Sequence, residues 1–74
     1  MRKELLNLNR AVNAEITFMK RNGYRQKDRN RMLDCRYTAL EMVKVFHEEY
    51  GLSKQMRKYF THKISVAMMS CLNK

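Results

Sequence analysis

The chain has 74 residues, room for one small domain, and its 16 Lys and Arg against 7 Asp and Glu give a formal charge of +9. At this size apolar burial barely offsets conformational entropy, so a deep pocket is not expected. A hydrophobic fraction of 45% excludes a disordered polycation, and no apolar run approaches the ~20 residues of a membrane span.

Proline is absent, and the two glycines, Gly23 and Gly51, cut the chain into three nearly equal pieces. The spacing predicts an all-α fold with helices over about 2–22, 27–50 and 53–72, as a three-helix bundle or an orthogonal three-helix domain. In the first piece Leu5, Leu8, Val12, Ile16 and Met19 recur at steps of three and four, which places them on one side of a helix. Asn22-Gly23 should end it, because glycine takes the left-handed conformation that closes a helix. Lys20 and Arg21 in the last turn meet the negative end of the dipole favourably.

The second piece carries Met32, Ala39, Leu40, Val43, Phe46 and Tyr50 on one broad face and starts near Arg25 or Asp28, the latter an acceptable cap, as is Asn30. Gly51 should stop it, although Glu48 and Glu49 put negative charge at an already negative helix end. Arg36 and His47 interrupt its apolar face. Arg36 is expected to snorkel at the core edge or pair with a carboxylate, and His47 to be a hydrogen-bonded histidine at that edge. Ser53 is a natural N-cap for the third piece, whose stripe is Met56, Phe60, Ile64, Ala67 and Cys71. Met69, Leu72 and Phe18 fall off their stripes, so some apolar surface should stay exposed, available for self-association as a homodimer or for docking on another protein.

The charge is unevenly distributed. Residues 20–36 hold seven basic side chains against two acidic ones, residues 37–50 one against three, and residues 51–74 five against none. The first basic zone gathers Lys20, Arg21, Arg25, Lys27, Arg29, Arg31 and Arg36 around Tyr24. Arginine forks match phosphate bidentately and a tyrosine ring is a stacking platform for an unpaired base, a mixture suited to RNA loops or single strands. A solvated charged turn is the competing reading. On the third helix Lys54 and Lys58 lie opposite the apolar stripe with His62 beside them, and on the first Lys3, Arg10, Thr17 and Arg21 share the outer face.

The segment from Val43 to Ile64 resembles the helix-turn-helix family of DNA-binding modules in its Gly51-Leu52-Ser53 turn and its Phe60. The resemblance implies that Ser53, Lys54, Gln55 and Lys58 face the major groove. The chain departs from the family pattern at His47 and Arg57, where small and branched apolar residues are usual. A plain helix-to-helix connection with a glycine stop and serine cap explains the same turn.

Cys35, His47, His62 and Cys71 have no metal-site spacing, and no phosphate-cradling loop, paired catalytic carboxylates or nucleophile elbow occurs, so neither metal nor cofactor nor catalysis is expected. Residues 1–10, MRKELLNLNR, lack an uninterrupted apolar run after their basic start, which predicts a cytosolic rather than secreted chain. The leading expectation is a small non-catalytic protein that binds nucleic acid, RNA ahead of DNA, through Lys20, Arg21, Tyr24, Arg25, Lys27, Arg29, Arg31, Lys54 and Lys58. The second is an adaptor or inhibitor that modulates a larger protein, of the general character of phage or mobile-element accessory factors. A membrane-surface role ranks last, because the basic stripes lack an interfacial apolar face.

Overall fold

The computed structural model describes residues 2–22 and 29–72. Three helices, α1 (Arg2–Arg21), α2 (Arg29–Tyr50) and α3 (Lys54–Leu72), make up the fold, with no strand among the described residues. At ~1.5 Å per residue these helices are about 28 to 33 Å long. The Cα trace measures 36 × 18 × 16 Å, so none of the three can lie across another at a right angle. The fold is therefore a three-helix bundle, and the orthogonal alternative is not adopted.

The helices run up, down and up. Leu5 and Asn9 of α1 line one hollow with Met56 and Phe60 of α3. At the far end the Cys71 thiol reaches the Met19 carbonyl at 3.6 Å, a buried contact that ties the last turn of α3 to the last turn of α1. α1 and α2 share the largest interface, and α3 packs on both.

One continuous core results. It takes Leu8, Val12, Ile16 and Met19 from α1, Met32, Ala39, Val43 and Phe46 from α2, and Phe60, Ile64, Ala67, Met68 and Cys71 from α3. Leu5, Leu40 and Met56, expected inside, are only half-buried at its margin. Tyr50 is a correction: it is exposed, with its ring against Phe46 at a centroid distance of 4.8 Å, so it covers the core from outside. Met68 and Leu52 are buried although neither belongs to an expected stripe. A helix touching two neighbours needs a wider apolar arc than one seam, which accounts for Met68. Leu52 fills the bundle end from within the α2–α3 turn.

That turn is built from caps. The Gly51 N–H donates to the His47 carbonyl at 2.9 Å, and φ at Gly51 is +79°, the left-handed closure of α2. Ser53 Oγ accepts from the Met56 N–H at 3.1 Å, the N-cap expected for α3. Between them the Leu52 N–H donates to His47 Nδ1 at 2.9 Å. His47 is thus half-buried and hydrogen-bonded at the core edge, where its ring satisfies a backbone donor that neither helix can reach. Arg36 is exposed. With the helices near-antiparallel, the turn does not produce the ~90–120° crossing of a DNA-reading helix pair, and the likeness to that family ends at the turn itself.

Candidate nucleic-acid interface

The basic residues fall on identifiable surfaces. Lys20 and Arg21 are exposed at the end of α1, and Arg29 and Arg31 are exposed at the start of α2. The antiparallel α1–α2 pairing brings these two sites to the same end of the bundle. Tyr24, Arg25 and Lys27, with Gly23 and Asp28, lie outside the described residues. Lys54 and Lys58 are exposed on the first turns of α3, at the other end. The two basic zones are therefore separated by most of the length of α3, ~26 Å from Lys54 to Cys71.

α3 bridges that gap with the expected Lys54 and Lys58 and with Tyr59 and Lys63, which sequence reasoning passed over. A hollow on its outward face is lined by Lys54, Arg57, Lys58, Thr61, His62 and Ser65. Next to it, the groove between α3 and α1 holds a cleft of about 430 Å³ lined by Lys20, Tyr59, His62, Lys63, Val66 and Ser70 among others. Farther along the same groove Tyr59 borders a second cleft with Arg2 and Asn9. His62 belongs to both the outward hollow and the groove, so the two are continuous. No carboxylate lines any of these three hollows. Arg2, Lys20, Lys54, Arg57, Lys58 and Lys63 therefore line three hollows that join through Tyr59 and His62.

Tyr59 stands midway along the groove. It is 49% exposed, its ring meets Phe60 edge-on at 5.3 Å, and Lys63 Nζ lies 5.4 Å from its centroid and 3.4 Å from its hydroxyl. The packing against Phe60 and the Lys63 ammonium over the ring hold Tyr59 in place, while about half of the residue's surface stays exposed. A fixed aromatic surface beside ammonium groups can stack an unpaired base and neutralise its phosphates.

Comparison of the chain with family models, with curated proteins and with solved structures found no match. The reading of the surface thus rests on its own chemistry.

The remaining reactive side chains are dispersed. Among the described residues no three His, Cys, Asp or Glu side chains converge as a metal site would need. Burial, and after it the neighbouring Glu15 carboxylate, pushes the half-buried Cys35 thiol above its ordinary range. Burial likewise raises the Cys71 thiol, with Lys20 pulling weakly the other way. Both sulfurs are held as thiols, the poorer nucleophilic and ligating form. Among the described residues no helix is long and apolar enough to cross a membrane.

Proposed function

We propose that this chain is a small, non-catalytic, cytosolic protein that binds nucleic acid in a regulatory role, with single-stranded RNA favoured over DNA. The observation that carries the proposal is the set of adjoining carboxylate-free hollows on α3 and the α1/α3 groove, where Arg2, Lys20 and Lys63 surround Tyr59 and Lys54, Arg57 and Lys58 lie on the neighbouring face. Extended single strands fit such a surface because their phosphates can follow the lysines while bases turn onto the ring.

The placement of charge supports the same reading. Lys54, Arg57 and Lys58 crowd the N-terminal turn of α3, and Arg29 and Arg31 that of α2, with no acid in either first turn. Cations there oppose the helix dipole at a cost of ~0.3–1 kcal/mol each. Residues that work against local helix stability are expected where a ligand needs them.

Fluorescence anisotropy with a short unstructured RNA, its DNA counterpart and a duplex of each tests the proposal. Replacing Lys58 and Lys63 with Ala should weaken RNA binding and flatten its salt dependence, and replacing Arg25, Arg29 and Arg31 with Ala should do the same. Absent or salt-insensitive binding overturns it.

A further inference from the structure

On the flank of the bundle turned away from the α1/α3 groove, α1 and α2 form a groove of opposite character, about 560 Å³ in volume. Its floor is apolar: Leu8, Met42, Val45, Phe46 and Tyr50. Val45 is 54% and Tyr50 46% exposed, a large apolar area for solvent to cover. Its walls carry Glu41 and Glu49 from α2 and Glu4 from α1, whose carboxyl is held below its usual range first by a hydrogen bond from the N-terminal ammonium, and no basic side chain lines it. Lys44 reaches Glu41 at 3.8 Å, but the lysine is well exposed and the glutamate partly so, and a solvent-screened pair of this kind offsets little of the acidic character that Glu41 and Glu49 give the groove.

The α2 wall has a helical register. Thr38, Glu41, Met42, Val45, Phe46, Glu49 and Tyr50 follow the i, i+3, i+4, i+7 pattern of a helix-packing seam. This seam runs beside the one that α2 already spends on the core, and it spans ~18 Å, roughly three turns. The bundle thus offers a ready seat for a fourth helix.

We infer that the α1/α2 groove docks an amphipathic helix of another protein, with apolar residues at i, i+3/i+4 and i+7 and Lys or Arg flanking them. Charge complementarity selects this occupant. Glu41 and Glu49 attract basic flanks, and they oppose one another if a second copy of the chain pairs groove to groove. A polyanion is repelled from the same surface. The chain would then present nucleic acid on one side and a protein helix on the other.

The test uses the full chain and two synthetic helical peptides with identical Leu anchors, one flanked by Lys and one by Glu, followed by NMR chemical-shift mapping. The Lys-flanked peptide should shift Met42, Val45 and Tyr50, and the Glu-flanked peptide should bind about tenfold or more weakly. Glu41→Lys with Glu49→Lys should reverse that preference, and Val45→Glu, at an exposed position, should abolish docking without unfolding the chain. No shift with either peptide, equal binding of both, or shifts confined to α3 overturns the inference. So does concentration-dependent self-association of the free chain in sedimentation that Glu41→Lys with Glu49→Lys removes, because the groove's occupant is then a second copy.

Discussion

His47 shows how one side chain can hold two helices in register. Its carbonyl takes the Gly51 N–H and its ring nitrogen takes the Leu52 N–H, so the chain can reverse within three residues with both of these donors satisfied. Replacing His47 with Leu leaves the Leu52 N–H without an acceptor at a partly buried site, which should cost about 1–3 kcal/mol. Asn in its place keeps an acceptor near the same position and should lose less. Thermal unfolding of the two variants checks the order, since ~1 kcal/mol moves the midpoint of a domain this small by about 4–8 °C. The cysteines make a second residue-scale prediction. Because burial first, and Glu15 in addition at Cys35, raises both thiols in the fold, the native state holds these protons more tightly than the unfolded chain. Their contribution to stability is complete below the ordinary thiol range and is lost as pH climbs from there through the raised value in the fold. Iodoacetamide alkylation should accordingly begin at higher pH for the folded protein than for the same chain in denaturant, with buried Cys71 slower than half-buried Cys35.

At the scale of elements, the third helix has charge working against its own dipole. Lys54 opens α3 directly after the Ser53 cap, so Lys54→Glu should stabilise the bundle by ~0.3–1 kcal/mol while weakening RNA binding. Denaturation and anisotropy on the same variant measure the two effects. Opposite signs separate a functional lysine from an incidental one. The elements were the most legible part of the sequence, because two glycines, one serine cap and three apolar periodicities all point to the same divisions. The margins of the core were less legible. Periodicity assigns one stripe per helix, yet every helix here touches two others, so Met68 is buried and Tyr50, at the helix end, is not. The candidate site was legible only as composition. The acid-free stretch from Gly51 onward marked α3 as basic, but the pairing of Tyr59 and Lys63 with Lys20 depends on α1 and α3 running parallel, which no local pattern encodes.

At the scale of the whole molecule, the charge of +9 resolves into two unlike flanks, a basic one along α3 and an acidic-rimmed one between α1 and α2. If all six cations of the basic flank engage a single strand, log K for RNA should fall with log salt at a slope of about −4, and a duplex would give about −5. A salt titration over single- and double-stranded ligands reads the slope directly, and a slope near zero would contradict a phosphate-based interface. The bundle also carries an unusual amount of sulfur inside, where Met19, Met32, Met68 and Cys71 are all buried. Peroxide attacks a thioether only where it can reach it, and a sulfoxide is too polar to return to an apolar interior. Under peroxide, an opening of the helices that exposes these thioethers would therefore be trapped as sulfoxide, and the chain would not close again into the same bundle until a sulfoxide reductase restored the methionines.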